Sequence, residues 1–133
     1  MPEARPATPA LERFARETLG CRCSAEVFER VEDDRSPLPG LPEIGRRIAI
    51  GGRLLIYLAQ APDGVRAAER VPVWVHAGLA ERDRRGMNRL RLVVLLKDPI
   101  PTATAMESAF AGLPGLDDRV HLHILPATAA AGI

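Results

Sequence analysis

Aromatic side chains are scarce in this chain: one Trp, one Tyr and three Phe make up 4% of its 133 residues. Surfaces that bind single-stranded nucleic acid stack bases on aromatic faces, so that class of partner is disfavoured. The core must instead be aliphatic, built from Leu, Val, Ile and Ala. No apolar run approaches the roughly 18 residues of a membrane span, so no membrane partner is expected. The opening MPEARPATPALERF has no basic stretch leading into an apolar one, and the expectation is a cytoplasmic protein without a secretory leader. In such reducing surroundings a permanent structural disulfide is disfavoured. Two cysteines are too few for an all-thiolate zinc or iron–sulfur centre held by one chain. Phosphate-binding glycine loops and Gly-x-Ser-x-Gly nucleophile turns are also missing; Gly51-Gly52 lacks the Lys and Ser/Thr that the former needs.

Lysine is nearly absent too, with Lys97 alone against 17 Arg, so arginine carries the basic charge. The net charge of +1 hides a strong asymmetry. Residues 1–45 hold 6 Arg against 9 acids, residues 46–97 hold 11 basic groups against 4 acids, and residues 98–133 hold 1 Arg against 4 acids. The balances are therefore −3, +7 and −3. Within ERDRRGMNRLR, Arg82, Arg84, Arg85, Arg89 and Arg91 crowd together. Such a patch suits phosphate, nucleic acid or an acidic partner. Its competing reading is a solvated helix end, where the dipole favours cations.

The order of elements points to an α/β protein: a single small domain, with a mixed sheet in which a β-hairpin is followed by a strand–helix–strand–helix–strand run. Residues 1–9 and 127–133, rich in Pro and Ala, read as flexible tails around a domain of residues 10–126. Apolar residues at 3/4 spacing from Leu11 to Leu19 predict a helix starting at Thr8 or Pro9 and ending at Gly20. Ser24 is placed to cap a short helix through Glu29, leading into a strand near Arg30–Asp33. Gly51-Gly52, between two apolar runs, suits a two-residue hairpin turn, or else a bulge in one long strand. The hairpin's edge offers a homodimer by strand pairing. APDG reads as a turn. VPVWVHAGLAERDRRG reads as a helix with Pro72 in its first turn, although VPVWV also fits a strand. NRLRLVVLLK is a buried strand, TATAMESAFAGL a helix capped by Thr102 or Thr104, and DRVHLHILP the last strand.

Two places carry chemistry. The first is ETLGCRCSAEVFERVE, with Cys21 and Cys23 one residue apart between two helical runs. Arg22 and the following helix start favour a thiolate at Cys23, and ionised thiols are better nucleophiles and soft-metal ligands. The pair therefore suits electron shuttling through a disulfide, or a clamp for a soft ion such as Cu(I) or Zn. Its competing reading is packing, with a sulfur tucked beneath Leu19, Val27 and Phe28. The stretch LGCRCSAEVF resembles an LGCxCPEEVF-like segment of small bacterial proteins of unassigned function, with Ser24 where the proline would be.

The second place is VHLHIL. Strand alternation puts His121 and His123 on one face, roughly 7 Å apart, within reach of one ion. A metal set of Cys21, Cys23, His121 and His123 follows as one expectation, with His76 as a further candidate ligand. A half-exposed edge strand that merely tolerates histidine is the other. RVHLHILP also resembles the closing strand of the histidine-triad nucleotide hydrolases and transferases. That resemblance implies His123 as the residue attacking an α-phosphate and His121 as the one before it. Arg119 stands where the triad's first histidine would be, and no Gly-Gln lies just upstream.

Overall fold

The computed structural model describes residues 3–133. Five strands form one sheet in chain order: β1 (Val31–Asp34), β2 (Ile44–Ile50), β3 (Leu54–Gln60), β4 (Arg89–Leu96) and β5 (Val120–Pro126). β1, β2 and β3 are antiparallel neighbours, and β4 and β5 extend the sheet in parallel. The helices α2 (Gly64–Arg84) and α3 (Ala103–Ala111) make the two crossovers. The mixed α/β architecture and the strand–helix–strand–helix–strand run are thus as the pattern predicts.

Both faces of the sheet are covered, which explains why β3 and β4 read as unbroken apolar runs. On one face, Leu55, Tyr57, Leu92 and Val94 pack with Val71, Trp74 and Val75 of α2 and Met106 of α3. On the other, Ile48, Ile50, Ile56, Val93 and Leu95 pack beneath an N-terminal layer made by Leu11, Phe14, Leu19, Cys21 and Phe28. Each fully buried aliphatic side chain contributes about 1.5–3 kcal/mol, so two such clusters stabilise a chain poor in aromatics. Among the described residues no helix is long and apolar enough to cross a membrane.

The N-terminal layer is less regular than the 3/4 spacing predicts. Thr8 caps α1 (Pro9–Arg13), its Oγ1 accepting from the Leu11 N–H at 3.1 Å. The chain then widens into a π turn, Phe14–Thr18, before Gly20 ends it at φ 75°. The Cys21 N–H closes on the Ala15 carbonyl at 2.9 Å. This is the wrap of a helix C-terminus, set one residue wider by the π turn. Ser24 precedes a 3-10 helix, Ala25–Glu29, but its side chain makes no capping bond. Arg16 lies over the Phe28 ring, 4.7 Å from its centroid, and ties the two segments together.

Four expectations need correction. α2 begins at Gly64 rather than near Val71, about two turns earlier. Asp63 is its N-cap, accepting from the Arg66 N–H at 2.8 Å, and Pro72 lies inside the helix. The hairpin has the expected positive φ at Gly51 and Gly52, but Ile50 pairs with Leu54, leaving Arg53 as an extra residue. The hairpin is not a free edge, because β1 covers β2; the sheet ends at β1 and β5. Finally, residues 1 and 2 of the first expected tail lie outside the described residues, but the rest of both stretches has partners. Arg5 exchanges two backbone hydrogen bonds with Val31, the Ala7 N–H donates to the Phe28 carbonyl, and Ala130 and Ile133 pack against the second cluster.

Candidate functional site

The Cys-x-Cys turn is held by the helix that precedes it. Gly20 reverses the chain, the Cys21 N–H is spent on closing the π turn, and Cys21 points into the N-terminal layer, only 7% exposed. Cys23 is half-buried. The two sulfurs are joined as a disulfide across a Cα–Cα distance of 5.4 Å. The Cys23 N–H donates to Cys21 Sγ at 3.2 Å. Cys21 is thus packed, and Cys23 is the more exposed of the two.

The opposite wall comes from the sheet. Arg91 and His121 are register partners on β4 and β5, as are Val93 and His123, so all four project from the face that the N-terminal layer covers. His121 and His123 do share a face, as alternation predicts. Arg91 is 7% exposed. Its Nη1 donates to the Leu19 carbonyl at 2.5 Å and lies 2.9 Å from His123 Nε2, while its Nε is buried without a partner. Arg53 reaches the same place because the hairpin turn docks on the start of β4, its carbonyl accepting from the Asn88 and Arg89 N–H groups at 2.9 and 3.0 Å.

Between these walls lies a cavity of about 540 Å³ lined by the Cys turn, Arg22, Arg53, Asn88, Arg89, Arg91 and His121. It has four arginines and no acid in its lining. Burial, reinforced by the charge of Arg89, pulls Arg91 below the ordinary guanidinium value. Burial and then the charges of Arg91 and Arg89 lower His121, against an opposing pull from Asp118. His123 is lowered to about 4 by burial, then by Arg91 and His121.

The arginine crowd of residues 82–91 splits in two. Arg82 pairs with Asp83 and Asp117, both at 3.0 Å. Arg85 pairs with Glu81 at 2.9 Å and with Glu32. These two belong to the helix-covered side and are neutralised there, so Arg82, Arg84, Arg85 and Arg89 do not form one anion patch. Arg89 instead faces the Cys turn, joined by Arg91 and by the distant Arg22 and Arg53. Sequence reasoning placed Arg91 in the wrong group and missed Arg53. The usable signal was the alternation Arg89, Arg91, Val93 along a strand whose other members are buried.

Among the described residues no group of three or more His, Cys, Asp or Glu side chains is arranged to hold a metal ion. Cys21, Cys23, His121 and His123 are thus not assembled as one ligand set for Zn or Cu, and exposed His76 stands on α2, beyond the sheet. The chemistry present is a disulfide facing a cationic cavity. No family model, curated protein or solved structure matches this chain.

Proposed function

We propose that this is a thiol–disulfide exchange protein of a reducing, cytoplasmic compartment, with Cys21 and Cys23 as its redox pair. One observation carries the reading: the two bonded sulfurs border the same cavity but differ in burial, Cys21 packed into the N-terminal layer and Cys23 half-buried. An incoming thiolate meets Cys23 Sγ. A new S–S bond forms there, the Cys21–Cys23 bond breaks, and its electron pair leaves on Cys21 as a thiolate. The Cys23 N–H, already donating to Cys21 Sγ at 3.2 Å, stabilises that charge, and cationic arginines line the same cavity. A second substrate thiolate then attacks the mixed disulfide at the substrate's sulfur and releases Cys23 as a thiolate. The substrate leaves as a disulfide and the protein as a dithiol.

Two alternatives have less support. In a histidine-triad transfer, His123 would attack phosphorus through a ring nitrogen, but its Nε2 is taken up by Arg91. An assembly module built on the arginine patch loses Arg82 and Arg85 to acidic partners.

The test equilibrates the native protein across a series of thiol/disulfide ratios, quenches with an alkylating agent in denaturant so that Cys21 is labelled too, and reads the mass. The expected result is one reversible transition, from no added groups to two. Two labels at every ratio, or none in the native protein under strong reductant, would overturn the proposal.

A further inference from the structure

The cavity beside the disulfide has an unusual charge problem. Arg91 is buried in an aliphatic layer, and among the described residues no carboxylate lies within ion-pair distance of it. The same holds for Arg22, Arg53 and Arg89, although seven other arginines of the chain do find acids. A buried charge is costly unless paired, and the Leu19 carbonyl and the neutral His123 ring offer Arg91 only dipoles. Three further cations around one concave space raise that cost. An anion seated there would offset it.

We infer that this cavity binds the anionic group of a small carboxylate-bearing thiol, or of its disulfide, and holds its sulfur at Cys23. The inference rests on the exchange reading and names its substrate class. Carboxylate is the natural partner of a guanidinium fork, since both oxygens can accept from parallel N–H groups. The cavity volume of about 540 Å³ is that of a small-molecule site. Asn88 in the lining supplies a neutral donor and acceptor for the rest of such a molecule. Arg53 and Arg89 are exposed at the rim and attract the anion, whereas Arg91 is buried and fixes its place.

The test uses the full chain and three thiols of different charge: 3-mercaptopropionate, 2-mercaptoethanol and cysteamine. Rates of reduction of the Cys21–Cys23 disulfide are compared per thiolate. The expected preference for the anionic over the cationic thiol is about tenfold at low salt. It should collapse in the Arg53→Gln/Arg89→Gln double variant and at high salt, with the singly charged thiolate of 2-mercaptoethanol slowed less than the doubly charged 3-mercaptopropionate. Arg91→Lys, which keeps the charge but loses the fork, should keep the steering and weaken binding. A charge preference that survives in the double variant would overturn the inference.

A second measurement separates this site from the exchange reading. S-methylglutathione carries carboxylates but cannot exchange, and its binding is read from the NMR signals of the His121 and His123 rings. Saturable shifts are expected in the wild type and in Cys21→Ser/Cys23→Ser, and reduced shifts in Arg53→Gln/Arg89→Gln. Inertness to all three thiols would sink the exchange reading while these shifts still report on the anion site. Their absence from the wild type would sink the site alone.

Discussion

Arg91 Nη1 lies 2.9 Å from Nε2 of His123, on the neighbouring strand. A guanidinium can only donate, so Nε2 must be the unprotonated ring nitrogen and the imidazole is neutral. That contact joins the burial that lowers His123 to about 4, with His121 as the other basic neighbour. The consequence for stability has a definite sign. In the unfolded chain the ring titrates near its ordinary value of 6.5, so below that value the unfolded state binds a proton the folded state refuses. Stability is full above about 6.5, falls as pH drops, and levels off for this group near 4. Chemical denaturation should show a loss of about 2 kcal/mol between about pH 7 and about pH 5. His121 adds to it in the same direction. His123→Gln, which keeps an acceptor for Arg91, should remove most of that slope; an unchanged slope would contradict the assignment.

On the helix-covered side, the Tyr57 hydroxyl donates to Glu81 Oε1 at 2.5 Å, and Arg85 and Arg47 donate to the same carboxylate at 2.9 and 3.4 Å. Burial pushes Glu81 up, but these hydrogen bonds and the charges of Arg47 and Arg85 outweigh it and hold the carboxyl below its usual range. Glu81→Gln leaves two arginines short of their anion and should cost roughly 2–4 kcal/mol in denaturant unfolding. Tyr57→Phe should cost about 1 kcal/mol alone. In a Glu81→Gln background it should cost less, because the two share one bond.

Gly51 and Gly52 look alike in the sequence, and the structure separates them. Both have positive φ, 61° and 66°. A Cβ on Gly52 meets nothing within 4 Å, whereas one on Gly51 would sit 2.5 Å from Val27 Cβ and 2.8 Å from Val27 Cα. Gly52→Ala should therefore cost only the backbone strain, about 1 kcal/mol. Gly51→Ala adds a clash with backbone that cannot swing away, and roughly 3 kcal/mol or more is expected. Equal melting temperatures for the two variants would show that the hairpin turn does not press on the segment after the Cys turn.

The legible parts of the fold were those governed by local pattern. LLIYLA and LRLVVLL are too apolar for anything but doubly covered strands, and Gly51-Gly52 between two such runs has few uses besides a turn. The start of α2 was masked because Asp63-Gly64 fits a turn as well as a cap, and because Pro72 imitates a first-turn proline. In the site, Cys21, Cys23, His121 and His123 were identifiable from their own chemistry. Their neighbours were not. Leu19 and Arg91 are 72 residues apart and meet only because the N-terminal layer folds over the far face of the sheet. No periodicity in either segment records that contact, so Arg89 and Arg91 group in the sequence with their neighbours on α2.

The difference in access between the two sulfurs makes a kinetic prediction that the disulfide alone does not. After reduction, Cys21 remains beneath Leu11, Phe14 and Phe28, and Cys23 remains at the cavity wall, because the Cys21 N–H bond to Ala15 and the turn at Gly20 do not depend on the sulfurs being joined. Cys23 also lies beside cations that favour its thiolate. An anionic alkylating agent such as iodoacetate should therefore label Cys23 first, about tenfold or more ahead of Cys21, at low salt. The neutral iodoacetamide should keep the order but narrow the gap. In Cys23→Ser the lone Cys21 should label slowly until denaturant opens the N-terminal layer. Peptide mass mapping at partial labelling reads the order directly, and preferential labelling of Cys21 would mean that the attacked and leaving sulfurs had been assigned the wrong way round.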